Sequence, residues 1–531
     1  MRVELDKIRE QIIGNNLVFE TPFGKRNLFY ADYTASGRSL KLVEEYMLKV
    51  EEVYANSHTE DDFSGKSTTD LLHIAEEKIK KFVNAGKNGK IISIGSGATG
   101  ALKRLQEILG VYIPPVAKDI IYKSLEDFNC SSCDVIKTIE DRMPVVFIGP
   151  YEHHSNEVMW RESFAEVVVV NLGEDGLIDL DDFRKKISDP KYSFKKKLVS
   201  ISAGSNITGT KSEVYGIAKI AHEYKGFVFY DFAAVAPYVK IDMNKDKDSF
   251  FDAIFFSPHK FLGGPGSSGV LIFNERIYQK DLPPTTPAGG TVDYVGYLSH
   301  DFTEDIESRE KGGTPPILQT IRTALVMELK EIIGIENIEK REEEYCKYFF
   351  NRYKDSKKLQ IIGPDDPNLR VPIISFNILH GDRIVHPKLV TKLLNDIFGI
   401  QSRAGCSCAG PYGHTLLNIE QELSESYRKY VKSGKGGLKP GWVRVNLHYT
   451  FNWDDVKFLC DAIDFVCDHV KKYISVYDFD FSTGDWIAKG WKNKELDTSL
   501  EFDFNLDYIP FNKLSEAREQ YFKEVNELVY F

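Results

Sequence analysis

Asp252-Ala-Ile-Phe-Phe-Ser-Pro-His-Lys-Phe-Leu-Gly-Gly-Pro-Gly-Ser-Ser-Gly-Val270 decides the reading of this chain. Ala253 to Phe256 is an apolar run of buried-strand length. Ser257 and His259 offer small-anion donors just before Lys260. Gly263, Gly264, Gly266 and Gly269 then let the backbone approach a ligand closely. A lysine held between two strands, beside phosphate-type donors, suits a Schiff base with a phosphorylated aldehyde. That chemistry needs an amine able to lose its proton, which partial burial favours.

The next informative stretch lies upstream. Phe227-Val-Phe-Tyr-Asp-Phe-Ala-Ala234 is an apolar strand that brings Asp231 to its end, about thirty residues before Lys260. Pyridoxal 5'-phosphate (PLP) needs a carboxylate at its pyridinium nitrogen to work as an electron sink. A strand-end aspartate, a second strand and Ser-x-His-Lys together resemble the class V, cysteine desulfurase-like branch of PLP enzymes. The resemblance covers roughly residues 25 to 475.

Outward from these two strands the chain keeps alternating strand and helix. Ile91-Ile-Ser-Ile-Gly-Ser-Gly-Ala-Thr-Gly100 is a strand, a glycine turn and a helix start, and backbone N–H groups there form an anion site. The resemblance implies that this turn, with Ala98 and Thr99, holds the cofactor phosphate. Val145-Val-Phe-Ile-Gly-Pro-Tyr-Glu-His-His-Ser-Asn156 ends a strand in a Glu-His-His-x-Asn string, and His153 matches the ring-stacking and proton-moving position. Asn206, in Ser-Asn-x-x-Gly, matches an asparagine that contacts cofactor and substrate. Leu28-Phe-Tyr-Ala-Asp-Tyr-Thr-Ala-Ser-Gly-Arg38 resembles the family's N-terminal strand-loop, which lies over the active site, and Tyr54-Ala-Asn-Ser-His58 resembles its Tyr-x-Asn-x-His stretch. Thr68 to Val83 has helical apolar spacing. One departure stands out: the family commonly has glutamine or histidine three residues after the aspartate, where this chain has Ala234.

Downstream, Gly-Gly-Thr-Pro-Pro316 precedes a long helix running to about Ile333, with proline well placed in its first turn. In the family this element reaches the phosphate of the neighbouring subunit, so Thr314 is expected at a dimer interface. Arg403-Ala-Gly-Cys-Ser-Cys-Ala-Gly410 resembles the desulfurase loop Arg-x-Gly-x-x-Cys-Ala, and Cys408 falls five residues after the arginine, as that pattern requires. A thiolate is a strong nucleophile near neutral pH. Cys406 is a rival, and the Cys-x-Cys spacing also resembles molybdenum cofactor sulfurases. Arg444, in Trp442-Val-Arg-Val-Asn-Leu-His-Tyr449, matches the arginine that pairs with the substrate carboxylate. Read alone, it is a surface arginine on a strand.

Length and composition suit a globular enzyme with one large and one smaller core: 531 residues, 42% apolar and 28% charged. A net charge of −11 leaves no basic excess for phosphates, so no nucleic-acid partner is expected. The opening Met1-Arg-Val-Glu-Leu-Asp-Lys7 has no apolar h-region, no apolar run approaches a membrane span, and seven cysteines do not read as a disulfide framework. A reducing cytoplasm and no membrane partner are expected. Cys130-Ser-Ser-Cys133 has redox or zinc spacing without a second pair, so it reads as two incidental cysteines and no metal is expected.

The resemblance implies an α/β fold: a PLP-dependent transferase of fold type I, with a large domain on a central, mostly parallel sheet and a smaller C-terminal α+β domain. The expected boundaries are an N-terminal arm at 1–40, the PLP-binding domain at 41–320, the small domain at 321–475, and an aromatic, acidic extension at 476–531 that packs on the core. The expected cofactor is PLP, held by Ala98, Thr99, His153, Asn206, Asp231, Ser257, His259, Lys260 and Thr314. The expected catalytic groups are Lys260, Cys408 and His153, with Asn206, Arg403 and Arg444 binding substrate. The implied reaction converts L-cysteine or L-selenocysteine to L-alanine with sulfur carried as a persulfide on Cys408. Other class V reactions (transamination, epimerisation, C–N lysis), a molybdenum-cofactor-sulfurase-like activity and a non-catalytic sulfur relay are the alternatives. Expected partners are an amino-acid substrate, a sulfur-acceptor protein and a second copy in a homodimer.

Overall fold

A computed structural model describes residues 5–57, 59–127, 138–492 and 507–528. His58, Cys130, Cys133 and the Phe502 to Phe504 aromatics lie outside them. The chain divides into two units. The large unit comprises residues 37–205 and 211–335, and the small unit comprises 1–36, 206–210 and 336–531. The expected 320/321 boundary falls inside the helix Ile317–Ile333, and the change of unit comes between Ile335 and Glu336. Residues 476 onward fall in the same unit as the segment expected to be the small domain.

In the large unit, β1 (Gly89–Ile94) leads into α1 (Gly97–Ile108), and β2 (Val145–Ile148) into α2 (His154–Arg161). β3 (Glu166–Val169), β4 (Lys197–Ser202), α3 (Val214–Glu223), β5 (Phe227–Asp231), β6 (Ala253–Phe256), β7 (Gly269–Asn274) and α4 (Ile317–Ile333) follow. The seven strands form one sheet in the order β1-β7-β6-β5-β4-β2-β3. β2 to β6 pair in parallel, while β7 runs antiparallel to both β6 and β1. Every residue of β2 and β6 is buried, as the continuous apolar runs Val-Val-Phe-Ile and Ala-Ile-Phe-Phe require of strands covered on both faces. Leu102, Leu105, Trp160, Phe229, Phe255 and Leu271 share the core. The parallel strands all point their carboxyl ends the same way, the edge where open α/β sheets bind ligands. The helix expected from Thr68 starts earlier, at Phe63, because Asp62 caps it by accepting from the Gly65 N–H at 2.8 Å.

The small unit is built on an antiparallel sheet. After the helix α5 (Ile335–Tyr353) come β8 (Leu359–Ile362), β9 (Ile373–His380), α6 (Pro387–Phe398), β10 (Arg403–Gly405), β11 (Trp442–Asn446) and α7 (Trp453–Tyr473). The strand order is β8-β9-β11-β10. The strand expected to reach Tyr449 stops at Asn446, whose N–H turns to the Ala31 carbonyl and whose side chain accepts from Thr34. Residues 206–210 join this unit through close backbone packing. Val371 N–H donates to Gly209 O at 2.9 Å, and a β-carbon on Gly209 would stand 2.3 Å from Val371 O.

A helix at the chain's end, α8 (Leu514–Leu528), is tied in by charge. Asn452 and Asp455 form a capping box at the start of α7. The buried Asp455 carboxylate also takes Arg9 at 2.9 Å and Arg518 at 2.7 Å. Asp455→Ala strips the cap and leaves two largely buried guanidinium groups without their carboxylate. It is expected to lower stability by about 3–5 kcal/mol, read as a shift in the urea midpoint. A change under about 1 kcal/mol would reduce the cluster to a surface-type ion pair.

Candidate active site

The carboxyl ends of β2, β5 and β6 carry three of the expected residues within the large unit. β6 ends at Phe256, and Ser257 leads into a single 3-10 turn, Pro258–Lys260. His259 O accepts from Gly37 N–H, which ties the turn down. Gly264 must be glycine, since a β-carbon there would stand 2.0 Å from Pro258 O. Asp231 is 4% exposed and its Oδ1 accepts from Ala233 N–H at 2.8 Å. Burial pushes its carboxyl up to about 6, against the Ala233 N–H and the nearby Lys260 charge, which pull it down. Burial and the Lys260 charge push His259 down to about 4, so its imidazole is neutral at neutral pH. Ala234, the departure from the family string, is a buried residue.

His153 caps α2: its Nδ1 accepts from Ser155 N–H at 3.2 Å, which puts the ring proton on Nε2. Ser155 Oγ also meets Thr99 Oγ1 at 2.7 Å, linking His153 to the N-terminal turn of α1. Behind His153 the buried Glu152 accepts from Gly149 N–H, Ser202 N–H, Ser202 Oγ and Asn156 Nδ2. Burial raises its carboxyl to about 7, against those donors, with the Asp231 charge adding to the rise. Asn156 Oδ1 in turn accepts from Ser200 Oγ and Trp160 Nε1. The Glu and Asn of the Glu-His-His-x-Asn string thus form the scaffold that fixes His153 across β2 and β4.

The start of α1 makes an anion cradle. Ser96 caps it without a side-chain bond, and Ala98 N–H donates to Ser257 Oγ at 2.8 Å. Gly97 lies at φ +61°, and a β-carbon there would stand 2.6 Å from Ser257 Oγ and 3.5 Å from His259 Nε2. Thr99, Ser257 and His259 therefore surround a helix N-terminus, where the dipole favours negative charge. An ammonium, a buried carboxylate and this cradle suit a group bearing an aldehyde, a basic ring nitrogen and a phosphate. Thr314 accepts from Asn56 Nδ2 at 3.1 Å on an exposed part of the large unit. Among the described residues no three His, Cys, Asp or Glu side chains cluster to hold a metal.

The small unit holds the other expected residues: Asn206, Arg403, Cys408 and Arg444. Arg444 is not the surface arginine that its strand suggests: it is 2% exposed in the interior strand β11. It sits directly opposite Arg403 of β10. Two facing arginines repel, and Asp32 sits between them, at 2.8 Å from Arg444 Nη2 and 3.3 Å from Arg403 Nε. Arg444 Nη1 also donates to Asn206 O at 3.0 Å. β10 then runs into a tight turn in which Ala409 N–H donates to Cys406 O at 3.3 Å. Its two central residues, Ser407 and Cys408, have φ +49° and +59°. Positive φ at both positions is the mark of a type I′ turn, which favours Asn-Gly. Here each non-glycine residue costs about 1–2 kcal/mol. Asn206 Nδ2 donates to Ser407 O at 2.6 Å within the buried interior. Cys408 is exposed and Cys406 half-buried.

Comparison with known proteins identifies the family. The model of the Aminotransferase class-V family matches residues 134–459. The chain belongs to the class-V aminotransferase family. It is an enzyme of that family. It is 30% identical over 392 residues to a protein of Halalkalibacterium halodurans named probable cysteine desulfurase, covering 72% of this chain and 84% of the relative. A Staphylococcus aureus protein of the same name is 30% identical over 429 residues, covering 79% and 92%. In fold, this class-V enzyme is similar to the apo cysteine desulfurase of Thermococcus onnurineus: the TM-score is 0.67 at 22% identity, over 89% of this chain and 99% of that one.

The class-V resemblance singled out Lys260, Asp231, His153, Arg444 and Cys408 as candidates, but not Ser155, Glu152 or Asp32, which bond to or beside them. Ser155 and Glu152 lie in or beside a quoted string, yet their bonds cross from β2 to α1 and β4. Asp32 lies within the N-terminal string, and nothing local shows that it joins two arginines of the C-terminal sheet.

Proposed function

We propose that this class-V enzyme is a PLP-dependent cysteine desulfurase that removes sulfur from L-cysteine, or selenium from L-selenocysteine, and leaves L-alanine. The observation that carries the reading is Cys408: an exposed thiol in a preformed turn, directly after the strand that sets Arg403 against Arg444. The relatives named probable cysteine desulfurases support it.

Lys260 would hold the cofactor through Nζ, Asp231 its ring nitrogen, His153 its ring face, and the α1 turn with Ala98, Thr99, Ser257 and His259 its phosphate. Bound there, PLP supplies an electron sink for the substrate's α-carbon. Lys260 Nζ would move the α-proton. Arg444 and Arg403 would take the substrate carboxylate in a bidentate grip, and Asn206 would contact the substrate. The Cys408 thiolate would attack the substrate sulfur, forming an S–S bond as the Cβ–S bond breaks. The electron pair of that bond would stay with Cβ, which takes up a proton to become the methyl group of alanine, and the persulfide sulfur would pass to an acceptor protein. Thr314 would complete the phosphate site of a partner subunit in a homodimer. The proposed setting is the cytoplasm; no described helix is long and apolar enough to cross a membrane.

The direct test is to supply the purified protein with L-cysteine and a thiol reductant and measure alanine and sulfide, with other amino acids as controls. Equal yields of both from cysteine support the reading, whereas turnover of another amino acid without sulfide overturns it. Asp231→Asn probes the cofactor half. Losing a buried charged hydrogen bond costs about 1.5–3 kcal/mol, or roughly 10–100-fold in rate. The variant should also release PLP more readily on dialysis. Unchanged rate and retention would remove Asp231 from the ring nitrogen.

A further inference from the structure

The turn that presents Cys408 holds a conformation its own residues disfavour. Ser407 and Cys408 are both left-handed, and neither is glycine nor asparagine. Such a shape persists only where the surroundings over-determine it. Two contacts within the small unit do so. On one side Gly405, at φ +115°, packs backbone to backbone on Gly441, where a β-carbon would stand 2.7 Å from Gly405 Cα. On the other, Asn206 Nδ2 holds the Ser407 carbonyl at 2.6 Å. Asn206 is itself fixed, because its own carbonyl accepts from Arg444 Nη1 at 3.0 Å. It is 6% exposed, and its Oδ1 has no hydrogen-bond partner among the described residues.

We infer that Asn206 is a positioning residue for Cys408: its side-chain amide clamps the strained turn that holds the thiol, in addition to any contact it makes with ligand. This rests on the desulfurase reading for its consequence, but not for the clamp itself. One chain of bonds then runs from Asp32 through the Arg444 guanidinium and the Asn206 backbone and amide to the residue before Cys408. A substrate carboxylate drawn to Arg444 pulls on the same chain. Arg444 and Cys408 are thereby coupled through a single asparagine.

A rescue experiment in the holoenzyme separates the clamp from ligand contact. Asn206→Ala should slow single-turnover persulfide formation on Cys408 by about tenfold or more. Ser407→Gly should stay within about twofold of wild type, since glycine takes positive φ without strain. The double variant N206A/S407G should recover a measurable part of the lost rate, at least about threefold over N206A, because glycine at 407 removes one of the two strained positions the clamp holds; any contact of Asn206 with ligand stays lost. A double variant as slow as N206A would show that Asn206 acts only through cofactor or substrate and would overturn the inference. Amide exchange across residues 405–410 gives a second reading, independent of turnover. It should quicken by about tenfold in N206A, through loss of the Ala409–Cys406 bond, and slow again in the double variant. Unchanged exchange in N206A refutes the clamp. If wild type forms no persulfide at all, the desulfurase reading falls, and the exchange data still decide on Asn206.

Discussion

Lys260→Ala is expected to lower turnover of L-cysteine by about 10⁴-fold or more, since one side chain is asked both to hold the cofactor and to move a proton. The amine stands one 3-10 turn beyond the end of β6, pinned by the Gly37 bond to His259 O and by glycines that admit the backbone behind it. No neighbouring lysine shares that turn. Purified wild-type protein should be yellow, and borohydride should fix the cofactor on the tryptic peptide containing Lys260. Lys260→Arg is the sharper variant. It keeps the positive charge that draws down Asp231, but a guanidinium does not give up its proton near neutral pH. Arginine at 260 should therefore keep the fold and the Asp231 environment while losing activity as fully as alanine. An active arginine variant, or a label on another lysine, would end the assignment.

How far the sequence led differs between the two units, for a physical reason. In the large unit the candidates Asp231, His153 and Lys260 stand at or just beyond the ends of parallel strands, and a buried strand announces itself as an apolar run. Asp231 and Lys260 could thus be placed by following Phe227–Tyr230 and Ala253–Phe256 to their polar ends. His153 was legible in the same way after Val145–Ile148. In the small unit the candidate residues are joined by partners far apart in sequence. Asp32 reaches Arg444, and Asn206 reaches both Arg444 and Ser407. No local periodicity encodes such pairs. Without the family match Arg444 reads as a surface residue, because a strand with one arginine gives no sign of lying inside its sheet. The excursion of residues 206–210 into the small unit was equally hidden, because it depends on Gly209 lying against Val371 O. The long helix α4 carried the chain past the boundary expected at 320, since a continuous apolar face does not mark where a unit ends.

Cys408→Ser is expected to abolish persulfide formation while sparing cofactor and cysteine binding. Lys260 and Asp231 lie in the other unit, and Arg444 and Arg403 are held by the Asp32 carboxylate at 2.8 and 3.3 Å, so those bonds survive the change. A hydroxyl is a far weaker nucleophile toward sulfur than a thiolate, and the loss in sulfur transfer should be about 10³-fold or more. The spectral change on adding cysteine should persist, which separates a lost nucleophile from a lost site. Cys406→Ser is the matched control. Cys406 opens the turn and is half-buried, whereas Cys408 sits at its second left-handed position and is exposed. Serine at 406 should therefore keep most of the activity. The remaining described cysteines do not compete: Cys346 and Cys460 are buried, and burial pushes the Cys467 thiol up to about 12. Mass spectrometry of the loop peptide after cysteine treatment should find an added sulfur on Cys408 in wild type and in C406S, and none in C408S. If C406S alone is inactive, sulfur leaves through Cys406, and the molybdenum-cofactor-sulfurase-like alternative gains over the desulfurase reading. If both variants still release sulfide at the wild-type rate, no thiolate takes part, and the chain's chemistry is that of a selenocysteine lyase or another class-V reaction.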